Sequence, residues 1–528
     1  MAQRTQIRGK ATDDKNNPLP GVSILVKGTK MGTATQADGT FSLNVNDPNN
    51  TVLRATMTGY EPKEIALNGR TAVQFLLTPS AINLNNVVIT GAMGLTKTQK
   101  QVGYASQTVD ANNFTEARDL NLVNALSGKV AGLQVTNMGQ PGSSARVVIR
   151  GENSITQNNQ PLWVIDGVPI NNDMGDANDN KLDYGNGAAD INPDDIETMT
   201  VLQGPNAAAL YGSRAANGAI LITTKKGKIG DGSLGLSVNQ NTQVNSIAQF
   251  PEYQNVYGEG GNGQLVGNGN NIVKGTNGVR MGQNNSSWGM PMLGQPYNDF
   301  AGNPIPGGYR PKPNNITDLY KNSITNSSNV AISRADGLSS FRLSYGYTNS
   351  NDVLKNSNLI QKHNLQLNAS RKVVDWLNID TRVIYTTQNT KNRMVRNLDQ
   401  NSPMAAYVYL PRSFDLDAMT PWADAFGNST TLGSTNSTEN PLWMLYENSN
   451  QDKRNRIIGG ISATINFSNK LSFKTQASTD ILNFNNYTYT ELGSLRTPRG
   501  AYNTTSQINQ MWDYQGMLSY RDKFGKDF

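Results

Sequence analysis

The chain has 528 residues, enough for several domains, and a net charge of +6 spread without a dense basic tract, which argues against a nucleic-acid partner. Apolar residues make up 36% and charged residues 16%, a balance that suits many short strands and polar loops better than a large soluble enzyme. With no cysteine and a single histidine, His363, disulfides, thiol chemistry and a zinc site of His and Cys ligands are excluded.

No stretch of about 18 apolar residues occurs, so no transmembrane helix is expected, whereas barrel strands need only ~9–11 residues each. No signal peptide is visible at Met1-Ala2-Gln3, although Ala-Gln is compatible with residues that follow a cleaved leader. Residues 1–80 read as a small β-sandwich. Its strands are predicted at Thr5–Thr12, Val22–Val26, Gly32–Ala34, Gly39–Asn44, Thr51–Met57 and Glu64–Leu77, with turns at Asn17-Pro18, Pro20-Gly21, Asp38-Gly39 and Asp47-Pro48. Residues 81–98 form a linker. Inside it, Asn86-Val87-Val88-Ile89-Thr90-Gly91 sets consecutive β-formers between Asn-rich and Gly-rich flanks, a short exposed strand.

Residues 99–228 change to a mixed α/β pattern. Asn121 to Leu133 reads as a helix ended by a glycine and followed by a strand. Pro161 to Ile170 is a buried strand turning at Asp166-Gly167. In Val201 to Gly227, apolar residues flank a turn at Gly204-Pro205, and Ala207 to Leu210 has helical character. Gly212 and Gly218 then bracket a polar bend before a strand at Ala219–Thr224.

These blocks carry a resemblance. Gly9-Lys10, Leu19-Pro20-Gly21-Val22-Ser23, Gly32-Thr33, Asp38-Gly39-Thr40-Phe41-Ser42-Leu43 and Gly59-Tyr60 resemble the carboxypeptidase regulatory-like domain. The resemblance implies an accessory, immunoglobulin-like (Ig-like) β-sandwich with a structural or docking role. The later stretch, with Gly204, Pro205, Ala209, Leu210, Tyr211, Gly212, Arg214, Asn217 and Gly218, resembles the end of the plug of TonB-dependent outer-membrane transporters. Together with Ile191 to Glu197 and the domain upstream, it resembles the SusC/RagA family in particular. Val87, Val88, Ile89 and Thr90 then look like the TonB box, which would add as a strand to a partner sheet; the competing reading is the first strand of the next domain.

Residues 229–528 look like barrel hairpins. In Phe341 to Tyr347 large apolar residues alternate with Arg, Ser and Gly. Eight strands are predicted, near 233–245, 328–334, 339–348, 360–371, 376–388, 455–466, 471–483 and 506–520. Short turns alternate with long polar loops near 246–327, 389–454 and 484–505, and Tyr345, Tyr347 and Tyr385 are expected near strand ends as an interfacial girdle. Plugged transporters use 22 strands, so the sequence is expected to be incomplete, with roughly half or more of the barrel missing. His363 is expected to be a polar lumen or surface residue.

Several features carry two readings. Arg150, Glu152, Glu197 and Arg214 fit plug–barrel pairing and ordinary surface charge equally. Asp173, Asp176, Asp179 and Asp183 resemble a calcium loop but have Gly187 where an EF-hand needs glutamate, so a polar loop facing substrate is the expectation. Trp288, Trp422 and Trp443 fit sugar stacking or loop anchoring. Gly258-Glu259-Gly260-Gly261-Asn262-Gly263 matches a dinucleotide pattern without the strand and helix it needs. Asp194-Asp195 lie on one turn and do not define two faces of a sugar ring.

The expected fold is mainly β: the sandwich, a mixed α/β plug, and part of a transmembrane antiparallel barrel in the outer membrane, with the sandwich and TonB box periplasmic. No catalytic residue, metal or cofactor is expected, and no substrate-binding residue is assigned. The resemblance implies active import of oligosaccharides or peptides, with a SusD-like surface lipoprotein as partner and TonB, ExbB and ExbD as the energy supply. A surface adhesion or structural β-protein is the alternative.

Overall fold

The computed structural model describes residues 5–522 apart from 14–15, 28, 30, 58–59, 61–62, 79–87, 91–95, 99–105, 112–114, 116–118, 138, 156–157, 173–181, 228–233, 262, 264–278, 281–285, 299–303, 396–401, 404–409, 415–418 and 431–438. Two compact units result, Met1–Val87 and Val88–Phe528.

The first unit is a sandwich of two sheets around one core. Strands β1 (Thr5–Thr12), β4 (Thr40–Val45) and β7 (Ala72–Leu76) make one sheet in the order β4-β1-β7. Strands β2 (Ser23–Val26), β3 (Gly32–Ala34), β5 (Val52–Thr56) and β6 (Lys63–Ala66) make the other, in the order β3-β2-β5-β6. Strand β4 shows the logic: Phe41, Leu43 and Val45 point into the core while Ser42 and Asn44 point out. Gly9 is a packing requirement, since a Cβ there would lie 2.3 Å from the Val73 carbonyl oxygen and 2.4 Å from the Phe41 ring. The single strand expected over Glu64–Leu77 is two strands. Asn68 and Gly69, at φ 48° and 80°, turn the chain from one sheet to the other, an Asn-Gly turn hidden in an otherwise extended pattern.

The second unit begins with a two-stranded antiparallel ribbon, β8 (Val88–Thr90) on β9 (Thr96–Thr98). A five-stranded sheet follows, in the order β10-β15-β16-β13-β14, from β10 (Ser106–Asp110), β13 (Leu162–Ile165), β14 (Val168–Ile170), β15 (Ile196–Leu202) and β16 (Ala219–Thr224). Strands β11 (Leu133–Asn137) and β12 (Ala145–Ile149) pair beside it. The helix expected from Asn121 is a single 3₁₀ segment, Leu122–Leu126, capped by the Asn121 side chain on the Val123 amide.

Eight long antiparallel strands form one sheet in chain order: β17 (Gly235–Asn245), β18 (Ser323–Ala335), β19 (Ser339–Ser350), β20 (Leu359–Val374), β21 (Leu377–Lys391), β22 (Ser449–Asn466), β23 (Leu471–Thr490) and β24 (Ala501–Tyr520). All are long enough to cross a bilayer core. Their connections are short at one end (336–338, 375–376, 467–470) and longer at the other (246–322, 351–358, 392–448, 491–500). That asymmetry separates the periplasmic from the outer end of a membrane barrel.

The polarity of this sheet is reversed relative to a water-soluble sandwich. Its covered face carries Arg342, Ser344, Asn364, Gln366, Asn368, Arg454 and Arg456, all buried. Its bare face carries Leu343, Tyr345, Leu365, Val383, Tyr385, Ile457, Ile461, Trp512 and Leu518, all exposed. An apolar outside around a polar inside is what lipid demands. Tyr345 and Tyr385 lie within their strands and not at the ends, in one cross-strand row with Leu365, Ile457 and Ile481. The strands run further than the apolar pattern shows, which moves the expected girdle. Exposed Leu338, Trp376, Phe467 and Tyr520 mark the short-turn end instead. His363 sits on the bare face, its Nδ1 2.7 Å from the Tyr345 hydroxyl and its ring 4.8 Å from that of Tyr347.

Candidate functional site

The stretch 201–227 is a hairpin-like unit in which β15 and β16 pair antiparallel around helix α1 (Pro205–Tyr211). Pro205 occupies the first turn of α1, where a missing amide costs nothing. Gly204, Gly212 and Gly218 have φ of 68°, 72° and 95°, a region that favours glycine. At Gly218 a Cβ would also meet the Leu202 carbonyl oxygen at 2.8 Å. Asn217 ties the bend to the neighbouring loop by donating to the Asn158 carbonyl at 2.7 Å. Ala209 and Arg214 are exposed, while Leu210 and Tyr211 are half-buried. These residues shape the plug. Val88, Ile89 and Thr90 form β8, and Val87 lies outside the described residues.

The plug packs on the covered face of the eight-stranded sheet. Its core of Trp163, Ile165, Val201, Ile220 and Ile222 includes Ile384 of β21 and Ile458 of β22. Polar contacts between the two centre on Asp190, at the end of a 3₁₀ segment, Gly187–Asp190. Asp190 pairs with Arg454 at 2.7 Å and with Arg456 at 2.9 Å. Arg456 also holds Asp480 through two bonds of 2.8 and 2.7 Å, and donates to the carbonyls of Gly187 and Asn171. The four charged side chains are 1–3% exposed. The Asp190 carbonyl accepts from Asn364 and Thr386, and Lys362 donates to the Ala189 carbonyl. Gly187 is a packing requirement here, because a Cβ would fall 2.3 Å from the Asn171 carbonyl oxygen and 2.5 Å from the Arg456 guanidinium.

Burial works against the charged form of Asp190, but Arg454, Arg456 and Lys362 outweigh it and hold the carboxyl below the usual range. A second latch pairs Asp195 with Arg342 at 2.7 Å. There burial wins over the arginine and pushes the carboxyl up. Asn368 donates to Thr224 Oγ1 and to the Lys225 carbonyl, Arg382 to the Asp166 carbonyl, and Asn486 to the Tyr184 hydroxyl.

None of the four charged plug residues singled out from sequence makes these pairs. Glu152 pairs with Arg146 inside the plug, Arg150 and Glu197 are exposed, and Arg214 faces the Met511 sulfur of β24 at 3.1 Å. The clamp was readable only from the wall side: Asp452, Arg454 and Arg456 alternate on the inward parity of a strand whose other face is apolar.

Elsewhere the candidates prove architectural. Asp173, Asp176 and Asp179 lie outside the described residues, and the Asp183 carboxylate accepts from the Ser144 and Gly185 amides. Glu259 of the dinucleotide-like loop is buried and accepts from the Tyr297 hydroxyl at 2.6 Å, so this glycine-rich turn anchors an outer-loop core. Burial and Glu259 push the Tyr297 phenol well above its usual range. Trp443 is buried in helix α2 (Pro441–Tyr446) and Trp422 stacks on Tyr446 at 5.0 Å; both are loop anchors, whereas Trp288 is exposed. Asp194 accepts from Asn239 across the plug–wall boundary and Asp195 pairs with Arg342, so these two adjacent carboxylates are taken up in contacts with the wall.

Residues 7–89 match the family model described as the CarboxypepD_reg-like domain, and residues 98–219 match the TonB-dependent Receptor Plug Domain. The chain is 30% identical to the TonB-dependent receptor SusC of Bacteroides thetaiotaomicron over 68% of its own length and 31% of that protein. It is 25% identical to the TonB-dependent receptor P26 of Formosa agariphila over 99% of its length and 48% of that protein. It thus spans less than half the length of these relatives. In fold it is similar to the RagAB peptide importer in its open-open state, with a TM-score of 0.63 at 19% identity, covering 83% of this chain and 47% of that one. Receptors of this kind are outer-membrane β-barrels, in keeping with the reversed polarity of the eight-stranded sheet. The chain belongs to the SusC/RagA family of TonB-dependent outer-membrane receptors.

Proposed function

We propose that the protein imports oligosaccharides or peptides across the outer membrane, gated by its plug and powered through TonB, ExbB and ExbD, with a SusD-like surface lipoprotein delivering substrate. It is a transporter and not an enzyme. The observation that carries this reading is the folded plug held against the polar face of a lipid-facing sheet. Residues 1–80 are the regulatory-like domain, 81–98 the linker with its TonB box, 99–228 the plug and 229–528 barrel. The box comprises Val87, Val88, Ile89 and Thr90.

Topology gives the pull a route. The box lies ahead of β10, and β10 is an edge strand that pairs only with β15 within the plug sheet. Among the described residues of the second unit, the β8–β9 ribbon alone precedes it, and a two-stranded ribbon is marginal by itself. Strand addition by TonB to β8 competes with or extends that ribbon, and traction then reaches β10 before the buried centre of the plug. The motif residues Gly204, Pro205, Ala209, Leu210, Tyr211, Gly212, Arg214, Asn217 and Gly218 keep β15 and β16 together while the edge opens. Deleting residues 86–91 is expected to abolish uptake and leave surface binding of substrate intact. Uptake retained by the deletion strain would refute the box assignment.

A further inference from the structure

At the long-loop end of the sheet lies a cavity of about 270 Å³, between plug residue Leu182, helix α2 and the upper ends of β22 and β23. Its lining is neutral on the strand side, with Asn448, Asn450 and Thr490, and apolar on the helix side, with Met444 and Leu445. Among the described residues two charged side chains line it, Arg393 and Glu439. Arg393 is committed to Asp452, with both groups buried. Glu439 is 2% exposed, and its Oε2 accepts from the Ser494 hydroxyl at 2.6 Å and the Leu495 amide at 2.9 Å. Its Oε1 is buried, and among the described residues it has neither a hydrogen-bond partner nor a cation paired with it.

A fixed, buried carboxylate oxygen without a donor is costly to leave unmet, and a lining with one uncompensated negative charge selects a positive donor. Ser494 and Leu495 fix the carboxylate through its other oxygen, so the group is held in place before any ligand arrives. We infer that this cavity is a binding site for a primary ammonium group, with Glu439 Oε1 as its acceptor. Such a group comes from the N-terminus of a short peptide or from an amino sugar. The site stands at the outer mouth, where incoming substrate meets the plug, and the inference rests on the import reading.

Calorimetric titration of the purified protein in detergent tests it, using trialanine and glucosamine against N-acetyl-trialanine and glucose. One or both of the ammonium-bearing probes should bind at least about tenfold tighter than its neutral counterpart, and the one that does identifies the source. Glu439→Gln keeps the shape and the bonds at Oε2 but turns the free acceptor into a neutral group. It should bring the ammonium probes down to the neutral level with an unchanged melting midpoint. Equal binding of charged and neutral probes, binding by neither, or an unaltered Glu439→Gln variant overturns the site. Those results leave the import reading to the deletion of 86–91, whose failure in turn leaves the titration untouched.

Discussion

Asp190→Asn is expected to loosen the plug from the sheet more than any other single isosteric change. The substitution keeps the volume and removes the charge that Arg454 and Arg456 share, leaving two guanidinium groups about 1% exposed with only Asp480 to balance them. Breaking a buried pair from one side costs about 3–5 kcal/mol. In guanidinium titrations of the purified protein, the transition reported by plug tryptophan Trp163 should shift to lower denaturant. Adding Arg454→Met should recover part of the loss, because it removes the stranded charge with its partner. A double variant no better than the single one would show that the pair acts independently. The plug–barrel contacts at this cluster are dry, with all four charged side chains 1–3% exposed. Traction through the linker therefore has its easier path at the plug's edge strand.

The same carboxylate sets a pH dependence. The folded-state pKa of Asp190 is lowered, so its contribution is fully present above the ordinary aspartate value of about 3.9 and is lost as pH falls below it. Wild-type plug stability should drop on acidification through that range, and Asp190→Asn should flatten that part of the profile. An identical acid profile in the two proteins would assign the effect to other groups.

A disulfide across β10 and β15 is expected to stop transport altogether. Thr108 and Thr200 are direct cross-strand partners, with their Oγ1 atoms 3.0 Å apart, so cysteines at both positions are well placed to bridge. The natural sequence has no cysteine to compete. If β10 is the strand that TonB strips, the oxidised Thr108→Cys/Thr200→Cys protein should bind substrate and fail to import it, and reductant should restore uptake. Full uptake by the oxidised protein would mean that the plug moves without opening this edge.

The strands of the wall were legible because a barrel writes its inside and outside into every second residue. Phe341 to Tyr347 shows this over seven positions, and the eight predicted strands are the eight observed. Their lengths were not legible. The start of β22, Ser449 to Arg454, is polar on both faces, so alternation of apolar residues reports only the part in contact with lipid. The turn glycines and prolines of 201–227 were readable because φ > 0 and a missing amide are local demands. The clamp was not. Ala188-Ala189-Asp190 carries no local pattern, and the arginines that meet Asp190 are 264 and 266 residues away. The two loop tryptophans that proved to be anchors, Trp422 and Trp443, were likewise undecidable, since stacking on a sugar and packing under a loop ask for the same side chain.

Energised import is tested by following the accumulation of fluorescent oligosaccharide and peptide pools in cells that depend on this protein, before and after the proton gradient is collapsed. Accumulation of one pool should cease while its binding at the cell surface persists. Accumulation that continues at the same rate without the gradient would show that import is not energised.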